Sequence, residues 1–413
     1  MFKITSLNSL SVVLKIGIGF VTSKLLAIFV GPSGMALVGN LRNFITSLES
    51  ISTLGFQNGI IKYVTENQED KDKLNKVITT VFFSLLVVAI ATSSVIFGFA
   101  NYWNYKIFGS EFEYSFVIKV LGIALPWYAL SIFFLSVING LGQYRNVILI
   151  NIFGNLLGLM FSFILIYNFR TTGALLSVVI APALLFLLTF YFINLEIKIL
   201  TIINIHYFDF QILKKLSSFS IMALVSSVFG PIVYLLIRKN IILKLGLIQA
   251  GYWESISRIS SYYLLFVSTI LTIYFLPKLI QSKNNQETKM VFWSYFKFIL
   301  PIFIFGSILI YFSRFIIIKI LFTDDFLPVN DLFFWQLIGD VFKVASLILG
   351  YQFFAKKMTL LFIISEILSL LVLYFSSIFL LEIYGIQGVV IGQAIDNFLY
   401  LIVLVFIFRK SLF

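Results

Sequence analysis

Residues 333–350 read FFWQLIGDVFKVASLILG, an oily stretch with an acid, Asp340, and a base, Lys343, three positions apart. Other apolar runs are interrupted in the same way, by the bases Lys15, Lys24, Arg42, Lys119, Arg258 and Lys297 and by the acids Glu49, Glu254, Glu366 and Asp396. An ionised side chain at the centre of a membrane helix costs on the order of 3 kcal/mol on insertion scales, so it normally faces a partner or a wet cavity. The chemistry open to such a set is ion binding. There is no Cys and only one His, His206, which excludes thiolate nucleophiles, disulfides and clustered metal ligands. We expect no catalytic residue, no metal and no cofactor.

Some of these charges have local explanations. Lys119 and Lys297 lie near span ends and can snorkel to the interface. Glu49, near an inner end, can be solvated. Glu254 and Arg258, four apart on one helix face, suit an internal ion pair. Asp340 and Lys343 suit either a self-neutralising pair or a switch. Lys15, Arg42, Arg258 and Lys343 are harder to dismiss, because each sits roughly 15–18 Å into its span at 1.5 Å per residue, close to the midplane. A cavity with surplus positive charge at that depth selects an anion. Arg offers a fork that matches phosphate, and Lys a point charge. Lys24 follows Lys15 by nine residues, so on a straight helix the two face opposite ways. Either the first span bends near KIGIGF or only one of them lines the cavity.

The elements that position these residues follow from composition. Of 413 residues 60% are hydrophobic and 12% charged, with a mean hydropathy of +1.03. A soluble domain is about 45–50% apolar and about 25% charged; the solvent of this chain is lipid. A helix needs about 20 apolar residues to cross the hydrocarbon layer. Twelve segments qualify: 5–30, 33–62, 76–100, 114–140, 146–168, 172–195, 216–238, 246–276, 291–313, 331–355, 358–381 and 386–408. Residues 1–20 carry no small-residue cleavage site, and their apolar run continues past signal-peptide length, so they read as the start of the first span. Residues 196–215 alternate apolar and polar and read as a short interfacial helix. The net charge of +12 belongs mainly to the loops on the side of the N-terminus, which places both termini in the cytoplasm. It does not point to nucleic acid. Arg238, Lys239 and Lys244 stand against that bias, in the loop read between spans 7 and 8.

The two halves echo each other. SVINGLGQYRNVILINIFGNL and TTGALLSVVIAPAL in the first answer to LILGYQFFAKKMTLLFIISEI and IYGIQGVVIGQAI in the second. Six spans return the chain to its starting side, so the repeats are parallel, with a substrate site expected between them. The expected fold is an all-α polytopic membrane protein. Its twelve helices form two parallel six-helix lobes, 1–197 and 216–413, joined by 198–215 around a central cavity.

KIGIGFVTSKLLAIFVGPSGMALVGNLRNFIT (15–46), NGIIKYV (58–64), FFWQLIGDVFKVASLILGYQFFAKKM (333–358) and SEI (365–367) resemble the polysaccharide repeat-unit flippases of the multidrug/oligosaccharidyl-lipid/polysaccharide exporter superfamily. The O-antigen translocases and the lipid III flippases of enterobacterial common antigen are the most similar branch. The resemblance runs along essentially the whole chain. It implies alternating access and transfer of an undecaprenyl-diphosphate-linked oligosaccharide from the cytoplasmic to the periplasmic leaflet of a bacterial inner membrane. Lys15, Lys24, Arg42, Lys62, Asp340, Lys343 and Glu366 match that family's pattern; Arg258 rests on the repeat and the charge argument. On this reading Lys15, Lys24, Arg42, Lys62, Arg258 and Lys343 bind the diphosphate and glycan. Asp340, Glu366, Asp396 and Glu254 couple transport to an ion, Asp340 by competing for Lys343. The implied partners are membrane lipid, a polysaccharide polymerase and a chain-length regulator, for a monomeric flippase. The rivals are a multidrug antiporter of the same superfamily, whose cavity should be acidic or neutral, and a lipid II flippase, which typically has two further spans. A membrane polymerase or ligase would need a large outer loop, and the longest outer segment, 101–113, is short.

Overall fold

The structure, a computed structural model, describes residues 2–413, with the side chains of residues 10–217 and 220–413. Its α-helices in chain order are α1 Phe2–Phe29, α2 Gly31–Ser52, α3 Gln57–Asn67, α4 Lys71–Gly98, α5 Ala100–Phe108, α6 Ser115–Gly140, α7 Tyr144–Glu196, α8 Ile199–Ile202, α9 Phe210–Leu224, α10 Gly230–Leu245, α11 Leu247–Ile270, α12 Leu276–Gln281, α13 Asn285–Leu321, α14 Phe333–Ala355, α15 Thr359–Tyr384, α16 Ile386–Ile407 and α17 Arg409–Leu412. Single π-helical turns at Val225–Phe229 and Leu271–Phe275 carry α9 into α10 and α11 into α12. No strand occurs among the described residues.

Ten helical stretches among the described residues are long and apolar enough to cross a membrane. The longest, α7, holds two spans. Arg170 has φ 50 and ψ −123 in its interior, so the helix breaks there. Segments 146–168 and 172–195 are therefore separate crossings, as their composition predicts. One further expected span, α2, is missing from the ten because Asn40, Arg42, Asn43 and Glu49 make it too polar. The chain is a multi-pass membrane protein of all-helical fold.

Two expectations need correction. The span read at 33–62 is interrupted: α2 stops at Ser52, and the chain turns through Leu54 and Gly55, both at positive φ, before α3 begins. Gly55 sits where a Cβ would lie 3.1 Å from the Ser220 carbonyl oxygen, so the turn needs glycine for both its φ and the close approach. The interfacial helix read at 196–215 is fragmented into α8, a 3-10 turn at Ile205–Tyr207 and the start of α9. Asn204 and Asp209 take extended backbone there and cap the next turns by accepting from His206 N and Gln211 N. Short polar side chains compete with the helix ladder in this way.

By contacts the chain divides into two compact units, residues 1–30 with 37–235, and residues 31–36 with 236–413. Residues 216–235 thus go with the N-terminal unit. In that unit Phe56, Ile60, Val81, Phe133, Val137 and Ile193 belong to one buried apolar cluster. In the C-terminal unit Gly251 lets the Pro32 carbonyl come within 2.0 Å of where a Cβ would stand, and Ser255 Oγ reaches Met35 Sδ at 3.6 Å.

The internal repeat reappears as geometry, three residues out of the register that the letters suggest. Arg170 (φ 50, ψ −123) has its counterpart in Gly385 (φ 60, ψ −141), and both reverse the chain between consecutive spans. Three residues on, Gly173 and Gly388 each leave only 1.9 Å between a hypothetical Cβ and the carbonyl oxygen of a residue in the preceding span, Leu165 and Leu380 respectively. Matching TTG to IYG pairs Gly173 with Gly385; the backbone pairs it with Gly388. We expect Gly388→Ala to cost about 3 kcal/mol, the upper end of overpacking penalties. Gly350→Ala, where nothing lies within 4 Å, should be neutral or stabilising by up to about 1 kcal/mol through helix propensity. Thermal unfolding of both purified variants in detergent checks the contrast; equal midpoints would rule out the tight reversal.

Candidate functional site

In the C-terminal unit, the helix that carries Glu254 and Arg258 begins after Gly246 (φ 90), which ends α10. Glu254 accepts from Arg258 Nε at 2.9 Å through one turn of α11, as the four-residue spacing predicts. Its other oxygen accepts from Arg238 Nη2 at 2.6 Å. All three side chains are at most 7% exposed. The Arg238 guanidinium also lies over the Trp253 ring, 5.1 Å from its centroid. The charge pattern puts Arg238 in a loop; it belongs instead to α10, because IVYLLIRKNIILKL runs unbroken to Gly246. That glycine was the available signal. One carboxylate between two guanidiniums leaves one net positive charge, and Arg258 Nη2 is buried without a hydrogen-bond partner.

Asp340 is fully buried on α14. It accepts from Ser260 Oγ at 2.7 Å, from Gln336 Nε2 at 3.1 Å and, in a short contact, from the Tyr263 hydroxyl. Ser260 and Tyr263 come from α11, so these neutral donors tie two helices through one carboxylate. None of the three was singled out from the sequence. Gln336 stands one turn before Asp340 and was legible as a candidate partner; the α11 donors were not.

Lys343, half-buried on the same helix, lies within electrostatic reach of Asp340, Glu366 and Asp396. Glu366 and Asp396 come from α15 and α16 and are hydrogen-bonded in turn, Glu366 with Tyr400 and Asp396 with Ser369 Oγ at 2.8 Å. Glycines bring these helices together: Gly339 would place a Cβ 3.0 Å from Ala394 Cα, and Gly392 one 2.7 Å from Ser377 N. The result is one ammonium among three carboxyls. It can hold a cation, or it can free Lys343 for an anion, depending on how many of the acids are ionised.

The N-terminal unit spreads its expected site residues apart. Helix α1 is unbroken, with Lys15 exposed and Lys24 half-buried. Lys62 lies beyond the turn, on α3, where it pairs with Glu66 at 3.7 Å in a largely exposed bridge of little energetic weight. Lys119 and Lys297 are exposed. Arg42 lines a cavity of about 420 Å³ between α1, α2 and the two limbs of α7, together with Glu49, Asn151 and Asn155. Of the six basic residues assigned to substrate, Arg42, Arg258 and Lys343 therefore sit in built polar environments; Lys15 and Lys62 do not.

A family model described as polysaccharide biosynthesis protein matches residues 2–283. The lipid III flippase of Escherichia coli (strain K12) is 28% identical over 384 residues, 92% of this chain and 91% of that protein. Among solved structures, an inward-facing multidrug resistance MATE family transporter of the MOP superfamily has a TM-score of 0.78 at 15% identity, over 96% of this chain and 94% of that one. The lipid II flippase MurJ, in an inward closed conformation, has a TM-score of 0.74 at 14% identity, over 99% and 88%. At such identities the two structural likenesses speak for the fold alone.

Proposed function

Because the chain belongs to the polysaccharide biosynthesis protein family, we propose that it flips an undecaprenyl-diphosphate-linked oligosaccharide across a bacterial inner membrane by alternating access. The observation that carries the reading is the similarity to a lipid III flippase along 92% of the chain. The buried and half-buried basic groups are consistent with it. A diphosphate needs forked donors and point charges, and Arg42, Arg258 with its uncommitted Nη2, and Lys343 supply them. Lys24, Lys15 and Lys62 are the weaker members of the proposed set. Flipping makes and breaks no covalent bond; what it requires is that phosphate, bound on one side, be released on the other.

The acids beside Lys343 provide the relief. When Asp340, Glu366 and Asp396 are ionised they hold the Lys343 ammonium, and when one takes up a proton Lys343 becomes available to phosphate. Glu254 governs Arg258 in the same sense. Cytoplasmic termini, a monomeric state, and service to a polymerase and a chain-length regulator belong to the same proposal. A multidrug antiporter would select organic cations, which the net positive Arg238–Glu254–Arg258 group repels. Lipid II, another prenyl diphosphate, is the nearer alternative.

The test is flipping of purified lipid III and of lipid II by the reconstituted protein across a pH series. Lipid III is expected to move and lipid II to move at least about tenfold more slowly, a difference of about 1.4 kcal/mol. Asp340→Asn is expected to flatten the pH dependence. Failure to move any prenyl-diphosphate glycan removes the proposal; an unchanged pH profile removes the Asp340 lever alone.

A further inference from the structure

The cavity at Arg42 does not end at α2. Thr46 and Glu49 also line a second, smaller cavity of about 180 Å³, whose polar walls include Ser50, Gln57 and Asn58 near the turn at Gly55. The two spaces adjoin at Glu49, and both lie inside the N-terminal unit. The larger alone falls within the roughly 300–1,000 Å³ of small-molecule sites.

Its lining has three properties that select a ligand. Charge is sparse and separated: Arg42 and Glu49 are seven residues, about 10.5 Å, apart along α2. The other polar groups are amides and hydroxyls. Among the described residues no aromatic ring lines either space, in a chain with 48 Phe and 20 Tyr. A hydrophobic cation would want those rings, and a prenyl chain would want none of the amides.

Several of the polar groups are also uncommitted. The Glu49 carboxylate makes no hydrogen bond or ion pair with a described residue, and neither does the Asn151 side chain. Asn155 spends its amide nitrogen on the Asn151 carbonyl oxygen at 2.7 Å and keeps Oδ1 without a described partner. Gly154 and Gly158, interleaved with these asparagines on α7, bring the limbs of α7 close and hold the space open. A Cβ at Gly154 would come within 2.4 Å of Leu185 Cδ1. Half-buried donors and acceptors left over by the fold await a partner rich in both.

We propose that this pair of cavities is the glycan track of the flippase, taking the neutral, hydroxyl-rich sugars next to a diphosphate held at Arg42, with Glu49 at the junction as the specificity-determining residue. The inference rests on the flippase reading and adds to it where the sugars go. Glu49 and Asn155 accept from sugar hydroxyls or acetamido N–H groups, and Asn151 both donates and accepts. A site built on hydrogen bonds discriminates strongly against ligands that lack the matching groups.

The experiment measures binding of lipid III and of sugar-free undecaprenyl diphosphate to the full-length protein in detergent by native mass spectrometry. Wild type is expected to prefer lipid III. Glu49→Gln and Asn155→Ala, read separately, should each weaken lipid III by about 10-fold, the scale of one lost hydrogen bond, while undecaprenyl diphosphate binds as before. That second lipid also reports whether each variant is folded. Arg42→Ala should weaken both lipids. An unchanged preference in both variants overturns the track, as does a parallel loss of both lipids. The same holds if Glu49→Gln alters only the pH profile of flipping, which would make Glu49 a cation-coupling group. If wild type binds neither lipid, the flippase reading falls with it; if it binds both equally, only the track falls.

Discussion

Glu254→Ala is expected to lower the stability of the folded protein by about 3–5 kcal/mol, the cost of breaking a buried ion pair from one side. The carboxylate removed here serves two guanidiniums, Arg238 at 2.6 Å and Arg258 at 2.9 Å, and all three residues are buried. Its loss leaves two cations facing each other in a low-dielectric interior, so their repulsion adds to the lost attraction. Thermal unfolding in detergent reads the effect. A shift no larger than that of an exposed pair such as Lys62–Glu66 would mean that water reaches the group. The apolar triple variant, Arg238→Met with Glu254→Leu and Arg258→Met, distinguishes stability from function. Buried ionic triads can be replaced by packed apolar side chains at little or no cost, so the fold should recover. Flipping should not, if Arg258 presents its guanidinium to phosphate as proposed. Recovery of both would reduce the triad to a structural device.

If the proposed function holds, Lys343→Ala is expected to slow flipping of lipid III by roughly 30-fold to 4,000-fold, from the 2–5 kcal/mol that truncating one member of a desolvated charge group typically costs. Two losses would contribute on the proposed function: a ligand for the diphosphate, and the cation shared by Asp340, Glu366 and Asp396. Lys343→Arg, which keeps the charge, should retain more activity than Lys343→Ala but less than wild type, since a planar fork does not fit a site shaped for an ammonium. The decisive variant is Lys343→Met combined with Asp396→Asn, which removes one charge of each sign. Restored thermal stability without restored flipping, in a background where Asp396→Asn alone still flips lipid III, assigns Lys343 to the substrate. Restoration of both would leave it charge balance only.

The spans, their order and the charged positions inside them were legible because hydropathy and breakers are local properties. A run of apolar residues reads the same whatever it packs against, and GPSG breaks a helix by its own backbone. The Glu254–Arg258 pair was legible for the same reason, since four residues is one helical turn. The lengths of three elements were misjudged where local signals were weak. The 33–62 span hid a turn at Leu54–Gly55, the seventh span ran past Arg238, and the 196–215 segment broke at its Asn and Asp caps.

Composition and spacing thus suffice for an all-helical chain dissolved in lipid, with a fixed inventory of acids and bases at membrane depth. Which of these meet is a matter of packing. Ser260 and Tyr263 meet Asp340 across some eighty positions of chain. Arg238 finds Glu254 around a tight corner, and Glu366 and Asp396 converge on Lys343 because Gly339 and Gly392 let three helices close. Such pairings depend on interhelical distances of a few ångströms, which no window of sequence contains. They also divide the bases: of those read at similar depth, Arg258 lies in a built ion group and Lys15 stands exposed.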